Sequence, residues 1–99
     1  MNKTVFITDI AKTDIKNLIE YIAKDNKTVS LKLIDDFYKS FELLSSFPEA
    51  GYLKKDIKDK TVRIYTIRKS FTIIYRIFKD RVEILRILTK YQNLLALLD

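Results

Sequence analysis

The chain contains no cysteine and no histidine, and only one glycine and one proline among 99 residues. Without cysteine there is no disulfide and no thiolate nucleophile. Without histidine there is no imidazole base and no imidazole metal ligand. Zinc fingers, cysteine nucleophiles and a Ser-His-Asp triad are therefore excluded, and neither a metal nor another cofactor is expected. One Gly and one Pro leave no room for long flexible linkers. The opening segment Met1-Asn-Lys-Thr-Val-Phe-Ile-Thr-Asp9 has no apolar run of signal-peptide length. No segment approaches 18 uninterrupted apolar residues, so no membrane span is expected and a reducing cytoplasm is the default location.

The residues that are present describe one small domain spanning 1–99. Hydrophobic residues make up 47% and charged residues 32%, a balance typical of a globular chain. A domain of this size buries roughly two thirds of its unfolded surface, enough for a thin core. Charge is uneven: residues 1–50 sum to −1, whereas residues 51–99 sum to +7 and hold all five arginines, at 63, 68, 76, 81 and 86. A basic half fits a polyanionic or acidic partner, and fits a solvated surface about equally well.

Thr4-Val-Phe-Ile-Thr8 is a short apolar run and reads as a strand. Asp9 or Thr8 can then cap a helix carrying Ala11, Ile15, Leu18, Ile19 and Ile22 on one face. That helix should fade near Asp25-Asn26. A second helix is expected from Thr28 or Ser30, with Ile34, Phe37, Phe41 and Leu44 as its stripe and Leu33, Tyr38 and Phe47 flanking it. Pro48 should end it. So short a connection makes the pair an antiparallel hairpin. Residues 49–61 read as a polar connector whose lysine cluster between Lys54 and Lys60 fits a solvated loop first and phosphate contact second.

Val62-Arg-Ile-Tyr-Thr-Ile67 alternates as a strand does, and Arg68-Lys69-Ser70 is a turn. Two further β-branched, aromatic-rich strands run from Phe71 to Thr89 and turn at Lys79-Asp80. The order is β-α-α-β-β-β, an α+β fold whose later strands form an antiparallel meander with the helical hairpin on one face.

A two-residue turn at Lys79-Asp80 fixes an expected register. Arg76/Glu83, Ile74/Leu85 and Thr72/Ile87 would share an open face together with Thr89, with Arg76–Glu83 as a complementary pair. Ile77/Val82, Tyr75/Ile84, Ile73/Arg86 and Phe71/Leu88 would face the helices. A one-residue slip would invert the assignment. Arg86 then falls on the packed face and calls for a carboxylate from a helix.

Four segments carry a resemblance: Ile19-Glu-Tyr-Ile-Ala-Lys-Asp-Asn26, Phe41-Glu-Leu-Leu-Ser-Ser-Phe-Pro-Glu-Ala-Gly51, Ile74-Tyr-Arg76, and Arg81-Val-Glu-Ile-Leu-Arg-Ile-Leu88. Their order and spacing, over nearly the full length, resemble the ParE/RelE superfamily of bacterial toxins from type II toxin–antitoxin systems. RelE-like members are ribosome-dependent nucleases that cut mRNA. They resemble one another in an Arg three residues before the Tyr of the middle strand, in a His or Arg past the last strand, and often in a late Tyr. Here those places hold Thr72, the run Thr89-Lys90-Tyr91-Gln92, and Leu94. RNA cleavage needs a base and a cation at the phosphate, and Lys90, Tyr91 and Arg68, with the Lys54–Lys60 cluster, stand as weak candidates for such a catalyst.

The tail Asn93-Leu-Leu-Ala-Leu-Leu98 is similar to that of ParE-like members, which bind DNA gyrase and block replication without chemistry of their own. Where those members often show His-Gly, this chain has Thr89-Lys90. The resemblance implies a gyrase-binding toxin first, with a ribosome- and mRNA-directed endonuclease as the alternative. Arg63, Arg68, Arg76, Arg81, Lys90 and Tyr91 are its target-binding candidates. It also implies a cognate antitoxin, ParD-like or RelB-like, in a toxin–antitoxin hetero-oligomer, with Ile19, Ile22, Phe37 and Phe41 as candidate anchors.

Overall fold

Thr8 begins the first helix because its extended backbone leaves its side chain free to accept from the Ala11 amide at 3.2 Å. The computed structural model describes residues 2–89. In chain order these form β1 (Thr4–Ile7), α1 (Asp9–Asp25), α2 (Lys27–Ser46), β2 (Val62–Ile67), β3 (Phe71–Ile77) and β4 (Arg81–Thr89), with a 3-10 turn at Pro48–Ala50. Asn26 is the single residue between the helices. It closes α1 by donating to Ile22 and opens α2 by accepting from the Val29 amide. The second helix therefore starts at Lys27, ahead of the expected Thr28 or Ser30, because asparagine there serves both ends.

The sheet order is β1-β4-β3-β2, with β1 parallel to β4 and the remaining pairs antiparallel. The parallel pair is possible because a long connection, the helical hairpin followed by β2 and β3, separates its strands in the chain. One hydrophobic core lies between sheet and helices: Ala11, Leu33, Phe37, Phe41, Leu44, Ile67, Ile73, Tyr75, Val82, Ile84 and Ile87 are all buried there. Phe37 sits at its centre, stacked on Phe41 and edge-on to Phe71 at ring separations of 6.3 and 6.2 Å. Tyr38 and Phe47, expected to flank this core, are instead largely exposed. Tyr38 points to the groove side of α2, and Phe47 lies at its cap, beyond the last helical turn.

The expected register holds from the turn as far as Tyr75/Ile84 and then breaks. A β-bulge makes Ile74 face Arg86, and Ile73/Ile87, Thr72/Leu88 and Phe71/Thr89 follow. The extra residue on β4 reverses the side to which everything after it points. Ile87 joins the helix-packed core and Leu88 the opposite face. Thr89 lines a recess with Asp14, Asn17, Leu18 and Tyr21 of α1, so it does not share a face with Thr72. Arg86 meets the requirement for a helix carboxylate: it donates to Asp14 through Nε at 2.8 Å and Nη2 at 3.1 Å, while the Ile87 amide donates to the same carboxylate at 3.0 Å.

The second sheet face is not bare. Val62, Ile64, Ile74 and Leu88 form a smaller cluster on it, with Leu85 alongside and Ile57 of the connector inserted. The stretch from Tyr52 to Thr61 is thus a strap across this face, tied to the sheet at several points.

Candidate functional site

Two surfaces carry the residues that the sequence singles out. The first is an apolar groove of about 510 Å³ between the helices, lined by Ile15 and Ile19 of α1, Ile34, Phe37, Tyr38 and Phe41 of α2, and Ile7 of β1. Its floor is the core itself, since Phe37 and Phe41 are buried, while Tyr38 stands 63% exposed at its rim. Lys12, Lys16 and Glu20 supply the polar edge. Of the four candidate anchors, Ile19, Phe37 and Phe41 meet in this groove. Ile22 packs against the core and is not among the groove's lining residues. A second recess, lined by Asn2, Val5, Glu42, Ser45 and Ser46, shares Tyr38 and Phe41 with the groove, so the apolar track continues towards β1.

The second surface is the strapped sheet face with its margins. Arg76 reaches Asp59 of the strap in a close ion pair instead of its cross-strand neighbour Glu83. Glu83 is taken by Arg81, whose Nε donates to it at 2.8 Å. Arg81 also contacts Asp80 at 3.0 Å and lies 4.2 Å from the Phe78 ring centre. The hydrogen bond that Arg81 donates to Glu83, and the neighbouring carboxylates, raise the Arg81 pKa. Asp59 accepts from the side chain and amide of Thr61 and then from Arg76, and these contacts, Thr61 first, hold its pKa below the ordinary value.

The other two arginine candidates lie elsewhere. Arg63 alternates onto the helix-packed side of β2 and donates to the Gly51 carbonyl at 2.8 Å. Arg68 sits in the β2–β3 turn and pairs with Asp36 of α2. Arg68 and Lys69 both have positive φ, 53° and 60°, and Ser70 donates across the turn to Ile67 at 3.1 Å. Positive φ at both central residues of the turn from Ile67 to Ser70 is what a type I′ turn requires.

A buried tyrosine fixes the approach to the strap. The Tyr75 hydroxyl donates to the Pro48 carbonyl at 2.6 Å and accepts from the Gly51 amide at 2.8 Å, and burial pushes its pKa up. Gly51 has no positive φ; it is glycine because a Cβ there would stand 2.5 Å from the Tyr75 hydroxyl and 2.6 Å from the Ile64 carbonyl. Tyr75 was expected on the packed face. Its polar role was not read from the sequence, although a tyrosine in a run of isoleucines is the signal of a buried hydroxyl with partners.

The four arginines are therefore distributed over both sheet faces and a turn, each with its own internal acceptor. Lys90 and Tyr91 lie outside the described residues. Among the described residues no group of three acidic, histidine or cysteine side chains could hold a metal ion, and no helix is long and apolar enough to cross a membrane.

Residues 5–94 match the family model of the ParE toxin of the type II toxin–antitoxin system parDE. The chain belongs to the ParE toxin family. No curated protein matches this ParE-family chain in sequence. Solved structures share its fold, among them the following three. A chromosomal ParDE toxin–antitoxin system from P. aeruginosa aligns with TM-score 0.71 at 20% identity, covering 88% of this chain and 95% of that one. The toxin–antitoxin complex RelBE2 from Mycobacterium tuberculosis aligns with TM-score 0.62 at 20% identity, covering 91% and 100%. A conserved hypothetical protein from Helicobacter pylori aligns with TM-score 0.61 at 20% identity, covering 93% and 98%. The ParE/RelE-like fold and the membership of type II toxins expected from the sequence are both met.

Proposed function

We propose that this type II toxin stops growth by binding DNA gyrase in the cytoplasm, as one domain spanning residues 1–99, and that it does no bond-breaking chemistry of its own. The supporting observation is the separation of Thr72 from Thr89 together with the internal pairing of Arg63, Arg68, Arg76 and Arg81. A ribonuclease needs a base and a cation converging on one phosphate. On the strapped face Arg76 and Arg81 are both held against acids, and the buried groups around them are aliphatic. A surface of this kind suits binding. The match to the ParE family model favours the same branch.

The partner that restrains the toxin is a cognate antitoxin of ParD or RelB type, in keeping with the toxin–antitoxin complexes among its structural relatives. Its amphipathic segment lays apolar side chains into the groove over Ile19, Phe37 and Phe41, and its acids meet Lys12 and Lys16 at the rim. A supercoiling assay with purified gyrase tests the target. Loss of supercoiling at stoichiometric toxin is expected; unchanged supercoiling with toxin in excess rejects it. Primer extension on ribosome-bound message showing cleavage at codons would install the ribonuclease in its place.

A further inference from the structure

The lysine cluster in the β2 approach has a defined geometry that a solvated charge run does not need. Residues 54–60 hold four lysines, Lys54, Lys55, Lys58 and Lys60, against Asp56 and Asp59. Three anchors fix the backbone that carries them. At one end Tyr52 and Ile64 exchange two backbone hydrogen bonds, both 2.9 Å. In the middle Ile57 is buried among Val62, Ile64, Ile74 and Leu88, with its amide bonded to the Lys54 carbonyl at 3.1 Å. At the other end Asp59 is held by Thr61 and Arg76. Lys60 closes the loop internally, donating to the Lys55 carbonyl at 3.0 Å.

Two consequences follow for charge. Asp59 is exposed but its charge is offset by Arg76, which leaves the exposed Asp56 as the acid set against the four lysines. Ile57 points into the sheet, which leaves its neighbours Lys55 and Lys58 exposed on the outer side, with Lys54 half-buried beside them and Tyr52 and Leu53 exposed at the near end. A positive ridge with its backbone already ordered loses little further conformational entropy when it meets a row of anions. Evenly repeated, sequence-independent anions of this kind are the phosphates of a nucleic-acid backbone.

We propose that the strap from Tyr52 to Thr61 is a docking ridge for the phosphodiester backbone of duplex DNA, with Lys54, Lys55 and Lys58 as the contacting cations. This deepens the gyrase reading, in which the toxin meets an enzyme already carrying DNA, and rests on it for the biological source of the duplex. The contact itself needs no gyrase. Binding is weak, indifferent to base sequence and strongly dependent on salt.

Fluorescence anisotropy with a labelled 20-base-pair duplex, the full chain and no other protein tests it. Three phosphate contacts give a slope of log K against log salt of roughly −2.7. The variant carrying Lys54→Gln, Lys55→Gln and Lys58→Gln should lose about tenfold or more in affinity at low salt, with the slope falling towards zero. A matched variant carrying Lys24→Gln, Lys27→Gln and Lys32→Gln removes the same charge from exposed helix positions and should change affinity by no more than about twofold. Thermal unfolding of both variants checks that the fold is kept. Equal losses in the two variants would mean bulk attraction and would overturn the ridge. So would absence of binding at low salt, or tighter binding of single-stranded RNA of equal length. If the wild-type chain binds duplex but leaves supercoiling untouched, the gyrase reading fails and the ridge stands.

Discussion

Arg86 of β4 and Asp14 of α1, 72 positions apart in the chain, form a two-bonded ion pair at 2.8 and 3.1 Å with side chains 25% and 15% exposed. The same carboxylate receives the Ile87 amide at 3.0 Å, just past the bulge that reverses the face of β4. One aspartate thus joins the helix layer to the irregular part of the sheet. The hydrogen bonds to Asp14 raise the Arg86 pKa, the direction expected of a cation stabilised in place.

The two partners are unequal, and this gives a first prediction. Asp14→Ala strands the guanidinium and the Ile87 amide together, whereas Arg86→Ala leaves Asp14 still bonded to that amide. Asp14→Ala should cost about 2–3 kcal/mol of stability and Arg86→Ala less, given the penalty for unsatisfied, partly buried polar groups. Urea unfolding of the two variants measures the order. Equal or reversed losses would remove the bridging role from Asp14.

Gly51 yields a second prediction. Its backbone φ is −76°, open to any residue, so the constraint is steric alone. An added methyl would meet the Tyr75 hydroxyl, the Tyr75 ring edge at 2.8 Å and the Ile64 carbonyl. Gly51→Ala should therefore destabilise by about 1–3 kcal/mol, as overpacking does. Adding Tyr75→Phe should not rescue it, because the ring edge and the carbonyl remain. Recovery of the wild-type melting temperature in the double variant would show that the hydroxyl alone sets the limit.

The β2–β3 turn places two side-chain-bearing residues where glycine is favoured, Arg68 at φ 53° and Lys69 at φ 60°. Left-handed backbone costs an ordinary residue roughly 1–2 kcal/mol, and glycine returns part of that gain through unfolded-state entropy. Lys69→Gly keeps the Arg68–Asp36 pair and should raise stability by about 0.5–1 kcal/mol, a rise of a few degrees in Tm. A fall in Tm would show that Lys69 makes a contact worth more than the relief of its backbone.

The strap's carboxylate offers a pH test. Asp59 has a folded pKa below its ordinary value, because Thr61 and then Arg76 favour the charged form. A lowered carboxylate pKa contributes stability that is present above the unfolded value and is lost as pH falls through the folded one. The Thr61 amide, bonded to Asp59 at 2.9 Å, reports the event directly. Its proton shift should titrate with a midpoint below that of an ordinary aspartate, and Arg76→Gln should move the midpoint upward. A midpoint at or above the ordinary range would separate the strap from its anchor.

How far the sequence prescribed this molecule depends on how local each signal is. Element order followed from periodicity and from Asn26 and Pro48, because helix caps and proline act through their own neighbours. The register of β3 and β4 was readable from the Lys79-Asp80 turn as far as Tyr75, since a tight turn fixes the pairs beside it. Beyond that point the apolar run Ile84-Leu85 followed by Ile87-Leu88 breaks the two-residue alternation, which is the trace a bulge leaves in sequence. The backbone just past the bulge is held by Asp14, far away in the chain, and no local rule supplies that contact. The strap was legible as charge but not as structure, because Ile57 among seven polar positions gives no sign of what it covers. The groove-lining residues Ile19, Phe37 and Phe41 were legible because helical spacing puts each on the apolar side of its own helix, whereas the arginines' partners Asp36, Asp59 and Gly51 are all set by tertiary contacts.

The groove supports the final prediction. Tyr38 is the one lining aromatic that stands mostly in solvent, at 63% exposure, while Phe37 and Phe41 beneath it serve the core. Substitution of either phenylalanine would mix binding with folding. Tyr38→Glu leaves the core untouched and places a carboxylate where an apolar side chain of the antitoxin would sit, facing that partner's own acids. It should weaken antitoxin binding about tenfold or more, the effect of setting a charge against apolar side chains and like-signed acids, with Tm within a degree or two of wild type. Isothermal titration with the purified antitoxin measures the first and thermal unfolding the second. Unchanged affinity with an unchanged Tm would place the antitoxin on another surface of the toxin.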